Sequence, residues 1–155
     1  VAGGSAEGSI LEVIHTVFEE KIPFNQLLGF EIESLDLDRA VIRFAHRREL
    51  VGNFVRGSLH GGVISAVLDT TGGLILFLHL LSQLEGESRE KMLQRLGNIG
   101  TVDLRVDYLR AGVGEEYRAT GYILRTGNKV AVTRMELHDQ DDTLVAVGTG
   151  TYLIG

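Results

Sequence analysis

The 155-residue sequence predicts an α+β fold: an antiparallel sheet of about six strands curled around one long central helix. Three observations carry this. Residues 62–81 are the most apolar run in the chain and apolar nearly all round, as a helix covered on every side must be. Two strand-like segments precede it. Four more follow at close spacing, joined by turn residues, which suits antiparallel pairing.

Residues 1–8 are rich in Gly, Ala and Ser and are expected to be disordered, with a single domain over 9–155. Ser9 is suited to cap a helix in which Ile10, Leu11, Ile14, Val17 and Phe18 recur at helical spacing, and Pro23, the only proline, closes it. Phe24, Leu27, Leu28 and Phe30 are expected to anchor the connection that follows. Residues 29–36 and 39–46 read as strands with a turn at Leu37-Asp38. Arg47, Arg48 and Glu49 start a loop leading to His60-Gly61-Gly62 and the buried helix. Residues 82–98 form an insert in which 87–96 read as a short surface helix; its stripe of Met92, Leu93 and Leu96 suits a lid or tunnel wall, with simple packing on the sheet edge as the alternative. Residues 101–109 alternate, with Val102, Leu104, Val106 and Tyr108 on one face. Strands over 116–125, 129–138 and 143–153 complete the sheet, the first two joined by a tight Thr126-Gly127-Asn128 hairpin.

Composition narrows the function. A net charge of −6 argues against a nucleic-acid partner. The absence of cysteine excludes disulfides, thiol catalysis and Cys-based metal sites, and fits a reducing compartment. Residues 1–10 lack the basic and apolar regions of a secretory signal, so a cytoplasmic location is expected. Residues 62–81 are long enough to span a membrane but contain Ser65, Asp69, Thr70, Thr71, Gly72, Gly73 and His79; a core helix, not a membrane span, is the reading. The scattered histidines form no i,i+4 pair or facial triad, so no metal site is expected.

Two features of one stretch carry the chemistry. Gly61 and Gly62 open the helix, where unpaired N–H groups and the positive end of the dipole can hold a carbonyl that becomes an oxyanion. Asp69 is a carboxylate inside an apolar helix, an expensive placement unless it is paired or used. Close helix packing would also explain the glycines, and a buried hydrogen bond the carboxylate. His60 reads as a structural residue that fixes the loop–helix junction.

The segments HGGVISAVLDTTGG, GTVDLRVDYLRAG and RTGNKVAVTRMELHDQDDTLVAVGTGTY together resemble the hotdog-fold thioesterases of the phenylacetyl-CoA thioesterase (PaaI) superfamily. PFNQLLGFEIE and VGNF are similar to the YigI-like acyl-CoA thioesterases in particular. The resemblance covers residues 20–155. It implies hydrolysis of an acyl-CoA thioester by a homodimer or dimer of dimers, without metal or cofactor. It assigns the Gly61 N–H to the thioester carbonyl and Asp69 to the attack as general base or nucleophile. Asn53 would help place substrate or water, and Thr101 would be a water ligand. His60 and Gly62 would border the substrate. Arg125, Lys129 and Arg134, around the Thr126-Gly127-Asn128 hairpin, would meet the nucleotide, where a plain solvated hairpin is the alternative. A non-catalytic acyl-CoA binder and a hotdog dehydratase are the competing functions; the second lacks a His-x-Pro-like element.

Helix geometry adds an expectation about assembly. Gly61 and Asp69 lie eight residues apart, about 12 Å along the axis and about 80° around it. One chain cannot easily bring both to one thioester. Two antiparallel helices can, with Gly61 of one chain facing Asp69 of the other.

Overall fold

The computed structural model describes residues 4–84 and 86–155. The expected disorder over 1–8 falls partly on residues 1–3, outside the described residues. From Gly4 onward the chain is helical: α1 spans Gly4–His15, so the helix starts five residues before Ser9. Ile10, Val13 and Ile14 are buried, whereas Leu11 is exposed and does not belong to the apolar stripe.

A π-helical segment, Thr16–Lys21, follows directly. Its widened turn is closed by Ile22 N–H donating to the Val17 carbonyl at 3.2 Å, and Val17 and Phe18 remain buried. The Phe18 carbonyl accepts from Asn25 Nδ2 at 3.0 Å, which explains a buried asparagine. The connection after Pro23 is itself a short helix, α2 Pro23–Leu28, with proline in its first turn and Gly29 at φ 69° as its C-cap. Leu28 and Phe30 anchor it, but Phe24 and Leu27 point outward.

The strands β1 Glu31–Asp36 and β2 Arg39–Ala45 form the first hairpin. Arg48–Leu50 is a 3-10 turn, and the expected loop contains a small antiparallel ribbon, β3 Val51–Asn53 with β4 Ser58–Leu59. The long helix α3 Gly61–Ser82 extends one residue beyond the sequence reading at each end. It is apolar enough to cross a membrane by length and composition, with mean hydropathy 1.7, yet 61% of that stretch is buried inside the fold. Short α4 Arg89–Gly97 follows. Then come β5 Gly100–Tyr108, β6 Glu116–Thr126, β7 Val130–Asp139 and β8 Leu144–Leu153.

The six long strands form one antiparallel sheet in the order β1-β2-β6-β7-β8-β5. Its inner face lies on α3, and Leu68, Leu74, Ile75, Phe77 and Leu81 of the helix are fully buried with Ala119, Met135 and Leu137 of the sheet. This is the hotdog fold. The register of β5 on β8 shifts between Thr101 and Asp103. Thr101 opposes Tyr152 and Leu104 opposes Gly150, so one extra residue lies between two positions that both face the helix. The bulge corrects the simple alternation read from sequence: Val102 turns out to solvent, 63% exposed, and Thr101 turns in.

Candidate active site

Asp69 sits in the third turn of α3 and lines a cavity of about 300 Å³. Thr101 Oγ1 donates to Asp69 Oδ1 at 2.9 Å, and the Tyr152 hydroxyl reaches the same oxygen at 3.1 Å and the Asp69 backbone carbonyl at 3.0 Å. The two donors stand on neighbouring strands and oppose each other in register. They pin one carboxylate oxygen, while Oδ2 has no hydrogen bond among the described residues. The cavity in front is walled by Phe18, Ile22, Phe24 and Ile99.

At the other end of the site, His60 caps α3. Its Nδ1 accepts from the Gly62 N–H at 2.8 Å, which makes the ring a neutral acceptor at that nitrogen and supports the structural reading. The His60 carbonyl accepts from Val63 and Ile64. The Gly61 N–H is left with no partner among the described residues. The Gly61 carbonyl accepts from the Tyr108 hydroxyl at 3.1 Å, which ties the helix start to the end of β5. One backbone donor at the positive end of a 22-residue helix is thus available to an oxyanion, and Gly62, whose donor is taken, is not a second one.

The remaining predicted residues are not gathered around Asp69 within one chain. Asn53 ends β3 at the ribbon tip, where its Oδ1 accepts from the N–H groups of Val55 and Arg56, both at 3.1 Å, and its amide nitrogen is unused. Arg125 and Lys129 are exposed at the hairpin, beside a cavity of 460 Å³ lined by Thr126, Gly127 and Asn128 with His79 and Arg95. Arg134 lies further along β7, 3.6 Å from Glu136.

Sequence reasoning missed Tyr152 and the cavity wall. Tyr152 is 1% exposed, and burial, reinforced by the neighbouring Asp69 carboxylate, pushes its hydroxyl far above the usual tyrosine range, so it stays protonated. A signal was present in the alternating Gly148, Gly150 and Tyr152, which face the helix from one strand. The wall beside Asp69 comes from the N-terminal segment, not from α4, where Met92 packs into the core and Leu93 is 43% exposed. The side chain of Leu96, the third member of the expected stripe, lies outside the description.

The fold is that of the hotdog proteins, and the helix carries a pinned carboxylate and, among the described residues, a free N-terminal donor, groups that can respectively activate a water and polarise a carbonyl. The family model described as "Thioesterase superfamily" matches residues 56–146, and the chain belongs to that superfamily. It is 43% identical over 145 residues, 94% of each chain, to "Medium/long-chain acyl-CoA thioesterase YigI" of Escherichia coli strain K12. A crystal structure of a Shewanella oneidensis protein related to the thioesterase superfamily superposes with TM-score 0.90 at 42% identity, covering 97% of this chain and 99% of that one. The Escherichia coli PaaI protein from the phenylacetic acid degradation operon shares the fold at TM-score 0.76 and 20% identity, covering 97% of this chain and 96% of that one.

Proposed function

We propose that this protein is an acyl-CoA thioesterase acting on medium- to long-chain acyl groups in the cytoplasm. The observation that carries the reading is Asp69: one oxygen is fixed by two hydroxyls, the other is unpaired, and the wall in front is apolar. The chain length follows the name of the YigI relative. The thioester carbonyl accepts from the Gly61 N–H. Asp69 takes a proton from the attacking water, the C–S bond breaks, and that proton passes to the leaving CoA thiolate. In the nucleophilic route a carboxylate oxygen of Asp69 attacks the carbonyl carbon and CoA leaves as the thiolate; water then hydrolyses the resulting acyl–Asp69 anhydride, freeing the acid and Asp69 and supplying the proton the thiolate takes up. Asn53 and Thr101 position substrate and carboxylate, His60 holds the helix entrance, and Arg125 and Lys129 meet the CoA phosphates.

The proposed active unit is a homodimer, alone or paired into a tetramer, with Gly61 from one subunit and Asp69 from the other. The helical separation of the two residues supports this. So does the surface: β5 is a nine-residue strand with an unpaired edge, and Phe54, 89% exposed, stands with exposed Val55 beside Asn53. A panel of acyl-CoAs with thiol detection tests the activity. Asp69→Ala lowers kcat at least about 100-fold, and Asp69→Asn nearly as much, with fold and assembly retained. Near-wild-type turnover in either variant removes Asp69 from the chemistry.

A further inference from the structure

We propose that Tyr152 is a buried positioning residue whose hydroxyl orients Asp69 for its attack. This rests on the reading of Asp69 as general base or nucleophile.

Tyr152 is built into the wall behind the carboxylate. It lies on β8 and is buried against α3. Its hydroxyl donates to Asp69, where the backbone carbonyl and Oδ1 lie at 3.0 and 3.1 Å. Buried Thr133, on β7, donates its own proton to Met135 Sδ at 3.0 Å. Thr101 supplies the second donor to Oδ1.

The helix makes room for this arrangement. A Cβ on Gly72 would collide with the Tyr152 hydroxyl and would lie 2.6 Å from Thr133 Oγ1. Gly150 has the same relation to the Tyr152 ring, 2.7 Å away. Gly72 therefore clears space for the phenol hydroxyl, and Gly150 for the ring and the hydroxyl together. Both acceptors of the hydroxyl belong to Asp69. A carboxylate gripped at Oδ1 by a residue that also holds its backbone carbonyl is fixed in one orientation, which is what attack on a fixed carbonyl carbon requires.

Tyr152 lines the cavity but is buried, and its hydroxyl is turned to Asp69, so loss of the hydroxyl should appear in turnover and not in binding. Tyr152→Phe is expected to lower kcat about 10- to 100-fold, the size of loss that misplacing a reacting group brings. KM should stay within about twofold, as for loss of an interaction that acts at the transition state. In an Asp69→Ala background, Tyr152→Phe should change the residual rate by less than about twofold. If Asp69→Ala is crippled while folded Tyr152→Phe keeps its kcat, the positioning role is wrong and the Asp69 assignment survives. A loss of kcat by Tyr152→Phe that persists in the Asp69→Ala background makes the tyrosine a packing residue and also overturns the role. Full activity in Asp69→Ala overturns the assignment beneath it. Should thermal melting show Tyr152→Phe to be unfolded, Gly72→Ala, whose Cβ would strike the hydroxyl, decides: an unchanged kcat in that variant rejects the role.

Discussion

Gly72 and Gly73 are neighbours in one helix, and each lowers its stability by about 1 kcal/mol relative to alanine. They do so on opposite walls of the site. Behind Asp69, a Cβ on Gly72 would strike the Tyr152 hydroxyl and stand 2.6 Å from Thr133 Oγ1 and 2.8 Å from Met135 Sδ. In front, Gly73 lines the cavity with Asp69 and Thr70, and a Cβ there would meet nothing within 4 Å. The rear wall is closed, and each of its hydroxyls has a partner. The front wall is open and largely apolar. Asp69 lines the front cavity and is held through Oδ1 by Thr101 and Tyr152. Rigidity behind a reacting group and space before it are separate requirements, and here each is met by a glycine for a different reason.

The front wall is where a second subunit is proposed to enter, and breaking it there gives the largest effect. Gly61→Pro removes the free N–H. The substitution suits the first helical position, and His60 at φ −65°, ψ 135° already has the extended backbone that precedes proline. Gly61→Pro and Asp69→Ala homodimers are each expected to lose about 100-fold in kcat. Refolding the two together rebuilds one intact site per heterodimer, and activity returns to a sizeable fraction of wild type. Verified heterodimers that stay inactive place both residues in one chain's site.

Gly72→Ala attacks the rear wall. The new methyl displaces the Tyr152 hydroxyl, so kcat is expected to fall about tenfold or more. Overpacking costs about 1–3 kcal/mol and better helix propensity returns about 1, so urea unfolding should show a net loss of up to about 2 kcal/mol. Unchanged turnover and stability would mean that the rear wall is softer than its contacts imply.

The two walls were not equally legible in the sequence. The long helix, the six strands, Asp69 and the helix entrance are written locally, in periodicity and in a carboxylate set among apolar neighbours. The rear wall depends on register. Thr101 reaches Asp69 because a bulge adds one residue before Leu104, and no residue type in Thr101-Val102-Asp103 announces a bulge. Tyr152 meets Asp69 across 83 residues of sequence, a contact that only the finished sheet creates. The apolar wall was sought on α4 because Met92, Leu93 and Leu96 recur at helical spacing. The wall comes instead from Phe18 of the π-helical segment with Ile22 and Phe24 just after it, and a π turn has no sequence signature comparable to a cap or a proline.

Placing the acyl chain against the N-terminal wall makes a specificity prediction. Phe24, 52% exposed, and Ile22 are expected to contact the chain near the thioester. Each buried methylene is worth about 0.8 kcal/mol, about fourfold in kcat/KM. Ile22→Ala and Phe24→Ala should therefore change the preferred chain length by one or more methylene steps, with the rate on the shortest substrates nearly unchanged. Leu93→Ala should leave the chain-length profile flat relative to wild type. A profile that moves with Leu93 and not with Phe24 would return the acyl channel to α4.

The smallest effect sharpens the contrast between the two glycines most directly. Gly73 is helical, its backbone needs no positive φ, and no atom blocks a Cβ. Alanine there reduces the entropy of the unfolded chain and meets no clash, so Gly73→Ala is expected to stabilise the protein by about 0.5–1 kcal/mol. For a chain of this size that is a rise in Tm of about 1–4 °C, readable by calorimetry. The added methyl enters the cavity, so kcat/KM for the bulkiest acyl groups should drop slightly while Asp69, held from behind, keeps its turnover on short ones. Opposite signs in stability for Gly72→Ala and Gly73→Ala are the outcome that separates the walls. If both destabilise, the front is packed rather than open, and the cavity beside Asp69 is not the space into which the substrate enters.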